Sequence, residues 1–144
     1  MSIWTRRAEL DELNALTHDT LAAHIGIRFT EIGPDYLRGT MPVDARTHQP
    51  MGLLHGGASV VLAETLASVG GMLAMREGGT SVVGIEINAN HLRGVRCGLV
   101  TGTARPVHVG RTTQVWDIRI ESDGGAPVCV SRLTLSVLAG ERGA

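Results

Sequence analysis

Apolar and polar positions along the chain change their spacing twice, and these changes predict the order of helices and strands. Near the start, leucines recur three positions apart among acidic residues, which is typical of a short amphipathic helix. A long, almost uncharged run in the middle predicts one extended helix that ends at Gly78-Gly79. The predicted elements are helices at 7–16, 19–23 and 57–77 and strands at 25–32, 36–43, 81–92, 98–107, 113–121 and 127–138.

The last two predicted strands differ in their pattern. Trp116, Ile118 and Ile120 alternate with charged residues, so this strand should bury one face. In the final strand the apolar phase shifts, which predicts either a bulge near Ser131-Arg132 or burial on both faces.

Several strands around a single long helix define the fold class. We expect an α+β protein in which an antiparallel sheet curls around the central helix. A length of 144 residues fits one domain over 1–144, with an N-terminal helical segment at 1–24 and a frayed tail at 140–144. Sheet edges and loops of one copy need cover, so an oligomer is expected.

Composition narrows the class of function. Hydrophobic residues make up 43% and the formal net charge is −1, which fits a folded protein with no overall field for nucleic acid or a membrane. Aromatic residues at 3% argue against a base-stacking surface. The N-terminus has no apolar signal region, and the most apolar run, 53–75, is interrupted by Glu64 and four glycines. We therefore expect a cytoplasmic protein that binds neither nucleic acid nor membrane.

The central helix carries the most unusual chemical feature of the chain. Glu64 lies in the middle of an apolar helix, where a carboxylate is costly unless it has partners or a chemical task. Ser68, four residues on, shares its face. The alternative is a structural Glu64 that pairs with a buried arginine or with backbone groups.

The start of the same helix offers a second candidate group. Gly56 and Gly57 expose backbone N–H groups at the positive end of the helix dipole, which suits a developing oxyanion. His55 and Gln49 lie just upstream, where they can orient a carbonyl or the loop. Close packing at the glycines and an ordinary loop histidine are the structural alternatives.

Two basic turns, within 84–96 and 105–113, combine arginine, glycine and hydrogen-bonding side chains, which suits phosphate. Solvated surface arginines are the alternative. Four histidines could suggest a metal, but no pair has helical ligand spacing, and Cys97 and Cys129 have no metal-ligand spacing either. We expect no metal.

Long motifs connect these features to a known family. The chain resembles hotdog-fold acyl-CoA thioesterases of the phenylacetic-acid-degradation or 4-hydroxybenzoyl-CoA thioesterase type over residues 3–138. Within the family it is most similar to the branch with 1,4-dihydroxy-2-naphthoyl-CoA hydrolases of menaquinone synthesis and proofreading thioesterases of enterobactin synthesis. The segments that carry the resemblance are 41–44, 49–64, 83–91 and 114–116. Residues 72–80 depart from the family pattern, in a region that would line the acyl pocket.

The resemblance implies a role for each matching residue. Glu64 would be the nucleophile or general base, and the Gly56 N–H would polarise the thioester carbonyl. Gln49 and His55 would support the carbonyl end from the opposite subunit, and Ser68 would place water or the leaving group. His91 would contact the hydroxyl of the aryl ring or the pantetheine arm. The implied CoA track comprises Gly84, His91, Leu92, Arg93, Gly94, His108, Val109, Gly110, Arg111, Thr112 and Thr113.

The resemblance also implies a substrate and an assembly. The substrate would be an aromatic acyl-CoA, such as 1,4-dihydroxy-2-naphthoyl-CoA or hydroxybenzoyl-CoA, hydrolysed without a cofactor; an acyl carrier protein is the other thiol carrier considered. The assembly would be a homotetramer, a dimer of dimers with sites at the dimer interface. The alternative functions are an acyl-thioester hydratase or dehydratase and a non-catalytic acyl-CoA or carrier-protein binding module.

Overall fold

The computed structural model describes residues 1–140 and contains three helices and six strands in that range. In chain order they are α1 (Leu10–Leu16), α2 (Leu21–His24), β1 (Arg28–Ile32), β2 (Leu37–Pro42), α3 (Gly56–Leu73), β3 (Gly79–His91), β4 (Leu99–Val109), β5 (Thr113–Ser122) and β6 (Pro127–Ala139). The strands form one antiparallel sheet in the order β1-β2-β4-β5-β6-β3.

The sheet wraps around α3, which contacts every strand except β1 at several points. Leu62 and Leu66 are fully buried on the helix, and Trp116 and Ile118 are fully buried on β5. Gly39 and Gly102 lie opposite each other on β2 and β4. A Cβ at either would lie within 2.8 Å of a Leu66 methyl, so the paired glycines let the helix approach the sheet. By length and composition α3 could cross a membrane, but here it is the core helix.

The two edges of the sheet are treated differently. At β1, the Asn14 side chain donates to the Phe29 carbonyl at 3.0 Å and accepts from the Phe29 N–H at 2.9 Å, so it replaces a neighbouring strand. β1 is also short and irregular in register. At the other edge, β3 has 13 residues, is mostly exposed and includes Ile85 at 63% exposure. A long exposed apolar edge is typical of a strand that pairs with another chain.

The first residues of the chain close the far end of α3. The Thr5 and Arg6 N–H groups and the Thr5 hydroxyl all donate to the Leu73 carbonyl, at 2.9–3.1 Å. Trp4 stacks on buried Trp116, with ring centroids 6.3 Å apart. This segment therefore satisfies a carbonyl that α3 leaves without an internal partner.

Several predicted boundaries were wrong. α3 ends at Leu73 rather than 77, because groups from elsewhere in the chain take its last carbonyls. The first strand begins at Arg28 rather than 25, since a helical turn persists to Gly26, which has φ +82°.

Two further predictions about local structure need adjustment. The bulge in β6 lies at Val128 rather than near 131–132, because Ile120 pairs with Cys129 while Glu121 pairs with Pro127. Within the predicted helical segment 1–24, only α1 and α2 are helical. The predicted frayed tail lies, apart from Gly140, outside the described residues.

Candidate active site

The start of α3 leaves one backbone donor available. The His55 ring accepts the Gly57 N–H at 2.8 Å through Nδ1, and the His55 carbonyl accepts the N–H groups of Ala58 and Ser59. Within residues 1–140, no protein group accepts the Gly56 N–H. His55 thus caps the helix and leaves the Gly56 N–H free at the positive end of the dipole.

His91, at the end of β3, lies against this helix start. A Cβ at Gly56 would be 2.8 Å from His91 Nε2, so only glycine lets the ring come this close. The same region forms a cavity of about 370 Å³. Its lining residues are Gln49, Leu53, Leu54, Gly56, Ser59, His91, Leu92, Arg93, Gly94 and Val128.

The loop before α3 holds Gln49 in place. Its side-chain oxygen accepts the Met51 N–H at 2.5 Å, and its own N–H donates to the Leu53 carbonyl at 2.8 Å. Gln49 is also one of the residues that line the cavity. Ser59 was not predicted as a site residue, although it is 1% exposed and lines the cavity. Its position three residues after Gly56, on one helix face, was the available signal.

Glu64 lies elsewhere on α3. Its side chain is half-buried, and one carboxylate oxygen lies against Gly84 of β3. It forms no ion pair or hydrogen bond with another residue in 1–140. The alternative of a structural glutamate paired with a buried arginine therefore finds no partner in that range. Ser68, one turn further, is also half-buried.

One chain does not bring Gly56 and Glu64 together. Eight residues along an α-helix separate them by about 12 Å, which is too far for one thioester carbonyl to touch both. Glu64 is accordingly not among the residues that line the cavity at Gly56. A single copy therefore holds two parts of the predicted site.

The two predicted parts of the CoA track are also apart. His91 to Gly94 lie at the start of α3, whereas Thr113 pairs with Ser136, next to Val83 near the other end of β3. Eight strand residues between 83 and 91 correspond to about 27 Å. Arg111 and Thr112 line their own cavity of about 480 Å³, together with Glu77, Gly78, Gly79, Val137, Ala139 and Gly140.

The other predicted residues of this second turn lie at and just beyond the end of β4. The His108 ring packs against Gly110, whose N–H donates to the Thr113 carbonyl at 2.9 Å. Val109 pairs with Gln114 at the end of β4. In the described part of the chain, no group of three or more His, Cys, Asp or Glu side chains is placed to hold a metal ion.

The chain belongs to the thioesterase superfamily, whose sequence profile matches residues 51–129. It is 52% identical over 136 residues to the 1,4-dihydroxy-2-naphthoyl-CoA hydrolase of Escherichia coli, covering 94% of this chain and 99% of that protein. It is also 52% identical to the proofreading thioesterase EntH of Cronobacter turicensis, covering 94% and 98%.

Solved structures agree with the fold. The crystal structure of a thioesterase from Haemophilus influenzae superposes with a TM-score of 0.93 at 48% identity, covering 98% of this chain and 99% of that one. The predicted hotdog fold is thereby confirmed, and so is the prediction of an enzyme: the protein is a thioester hydrolase.

Proposed function

We propose that this thioesterase hydrolyses hydroxylated aromatic acyl-CoA thioesters to the free acid and CoA, in the cytoplasm. The free N–H of Gly56 carries the proposal, because it supplies the donor that a thioester oxyanion requires. The 52% identity to a 1,4-dihydroxy-2-naphthoyl-CoA hydrolase supports an aromatic acyl group. The arginines of the two turns, Arg93 and Arg111, suit the phosphates of CoA.

The chemistry needs few groups, since a thioester already has a good leaving group. The Gly56 N–H donates to the carbonyl oxygen as negative charge develops there, an effect worth about 10²–10³ in rate for a donor of this kind. The Glu64 carboxylate either attacks the carbonyl carbon or takes a proton from the water that attacks. The carbon–sulfur bond then breaks, and CoA leaves as the thiolate, which gains a proton. In the direct-attack route the acyl group remains on Glu64 as a mixed anhydride, and water hydrolyses this anhydride to release the acid and restore the carboxylate. Ser68 helps to place the water or the leaving group.

Because about 12 Å separates Gly56 from Glu64 along α3, the proposed chemistry takes these two groups from two copies of the chain. We infer that Glu64 of one subunit acts with the partner subunit's Gly56, and that the two copies pair through the exposed β3 edges. The Gln49 and His55 side chains then support the carbonyl end, and the His91 side chain contacts the aryl hydroxyl or the pantetheine arm. Each dimer contains two such sites.

One register of pairing between the β3 strands of two copies supports this assembly. Ile85 is an extra residue in β3, because Gly84 pairs with Leu135 while Glu86 pairs with Thr134. We place the two-fold axis between the Asn88 residues of the two copies and leave the bulged Ile85 out of the residue count. Gly84 then lies opposite the partner subunit's His91. Both residues face α3, as opposed residues on antiparallel strands must. The Glu64 carboxylate, which lies beside Gly84, is then close to the start of α3 in the other copy, which lies beside the partner subunit's His91.

The same register supports the CoA track. In this register the turn at 91–94 of one subunit lies beside the start of the other subunit's β3. The turn at 108–113 of that other subunit lies at the same end. The two turns, which are far apart in one copy, border one site in the dimer. Pairing of two dimers into a tetramer stays a prediction from the resemblance.

Thiol release tests the reaction. A chromogenic disulfide would follow hydrolysis of hydroxynaphthoyl-, hydroxybenzoyl-, phenylacetyl- and hexanoyl-CoA, in a Cys97→Ser background because Cys97 is exposed and would itself react. We expect fastest release from the hydroxylated aromatic thioesters and a loss of about 10³-fold or more in Glu64→Ala. Glu121→Ala, an exposed carboxylate on β5, is the control and should not change the rate.

The results of these assays test the reaction, the acyl specificity, the thiol carrier and the role of Glu64 separately. No thiol from any substrate would overturn the hydrolase proposal, and fastest release from hexanoyl-CoA would overturn the aromatic specificity. The same acyl groups on a carrier protein distinguish the two thiol carriers. Labelled solvent oxygen found in the Glu64 carboxylate after a single turnover would establish direct attack by the carboxylate.

Cross-linking tests the register. Asn88→Cys should form a disulfide between subunits, because the two side chains face each other across the axis. Asn90→Cys is the matched control, since its two copies would lie about 13 Å apart along the strands. Efficient cross-linking of Asn90→Cys, with none for Asn88→Cys, would contradict the proposed pairing.

A further inference from the structure

Gly84 lies where β3 passes α3, beside Glu64. A Cβ added at Gly84 would overlap Glu64 Oε1, whereas its other near neighbour, a Leu133 methyl, would be at an ordinary 3.5 Å. The φ of Gly84 is not in the left-handed region, so the backbone itself does not require glycine. The atom that a side chain here would meet first is the carboxylate oxygen of Glu64.

We propose that Gly84 is a positioning residue: its missing side chain forms the slot that holds the Glu64 carboxylate at the place where it meets the thioester. This assignment rests on the proposed function, because it takes Glu64 as the reacting carboxylate. It differs from the expected place of Gly84 in the CoA track, since the contact that matters is with Glu64 rather than with the ligand.

The local structure explains how the slot is made. Ile85, the next residue, is the bulged residue of β3, and bulges re-aim a strand next to them. Glu64 has no ion pair or hydrogen bond in residues 1–140 that would otherwise fix its position. Packing against Gly84 is therefore the contact that limits where the carboxylate can lie.

Alanine at this position should leave the fold intact. The atom that the new methyl meets is the end of a flexible side chain, so the carboxylate moves rather than the strand. A displacement of about 1 Å in a reacting group can reduce the rate by about 10²-fold. We expect Gly84→Ala to lower kcat by about 10–100-fold and to change KM less than threefold.

Gly124→Ala is the matched control. Gly124 lies in the turn between β5 and β6, has nothing within 4 Å of an added Cβ, and does not have a positive φ. It should retain the wild-type kcat. An unchanged kcat in Gly84→Ala would overturn the proposal.

Two further comparisons separate positioning of Glu64 from contact with the substrate. In a Glu64→Asp background the shorter side chain no longer reaches the slot, so adding Gly84→Ala should cost less than about threefold, against 10–100-fold with glutamate. Hydroxynaphthoyl-CoA should bind Glu64→Ala and Glu64→Ala/Gly84→Ala with equal Kd. A tenfold weaker Kd in the double variant would show that the methyl blocks the substrate and would overturn the proposal.

One measurement does not depend on turnover. In protein labelled with ¹³C, the Cδ signal of Glu64 reports its surroundings directly. Gly84→Ala should shift this signal and Gly124→Ala should not. An unchanged signal in Gly84→Ala overturns the slot even if the enzyme is active, whereas an inactive wild type overturns the proposed function and leaves a shifted signal as support for the slot.

Discussion

Replacing Gln114 by leucine should destabilise the protein by removing two hydrogen bonds at once. Gln114 is completely buried on β5. Its side-chain NH₂ donates to the Gly71 carbonyl at 3.1 Å, and its oxygen accepts the Trp116 indole N–H at 2.9 Å. Gly71 is in the last turn of α3, where carbonyls have no internal partner. This one side chain therefore joins the end of the helix to the sheet.

The size of the effect follows from what is left unpaired. Leucine has a similar volume, so the loss of packing is small. A buried group left without a partner costs about 1–3 kcal/mol, and two such groups give about 2–6 kcal/mol. Domains of this size are stable by about 5–15 kcal/mol, so the change should be plain in a urea unfolding curve. Variants must be compared at equal protein concentration, since association would add to stability.

Two controls make the Gln114 result decisive. Arg119→Leu, on the same strand but exposed, should change stability by no more than about 0.5 kcal/mol. Trp116→Phe removes the indole N–H and should cost about 1–2 kcal/mol less in the Gln114→Leu background than in wild type. A loss below about 0.5 kcal/mol for Gln114→Leu, or additive effects in the double variant, would refute the argument.

Three more outcomes follow from the structure. Trp4→Ala should lower unfolding stability by about 1–3 kcal/mol, less than for a fully buried tryptophan, and an unchanged urea midpoint would contradict the closing role of the first residues. A thiol reagent should label exposed Cys97 in the folded protein but buried Cys129, whose thiol pKa is raised by burial, only on unfolding; equal rates would disprove this. Hydrogen bonds from Arg46 lower the pKa of Asp44 from 3.8 to about 2, so their stabilisation is complete above pH 4 and is lost as the pH falls towards 2; an NMR titration midpoint near 3.8 would be inconsistent.

The sequence predicts the architecture because its signals are local. The alternation of apolar and charged residues in β5 and the uncharged run of α3 can each be recognised from residues that are close together in the sequence. Both elements lie where they were expected. The end of α3 could not be predicted in the same way. Thr5 and Gln114, which take its last carbonyls, are about 70 and 40 residues away along the chain.

The sequence predicts which element carries each candidate site residue, but not how the elements lie relative to one another. The rise of an α-helix already separates Gly56 from Glu64, so the spacing alone indicates that one thioester carbonyl cannot touch both groups of one copy. The contact between Glu64 and Gly84 could not be predicted from the sequence, because it depends on the offset of β3 along the axis of α3. Neither periodicity nor motif spacing contains that offset.

The Asn14 side chain has a consequence for the size of the assembly. A sheet with two unpaired edges can add a copy at each side and grow into a fibre without a natural end. Here the Asn14 amide occupies both backbone groups of Phe29, so β1 does not offer these two groups to another chain. In the proposed dimer the β3 edge of each copy is taken by its partner. Growth of the sheet would then be a single step that stops at two copies.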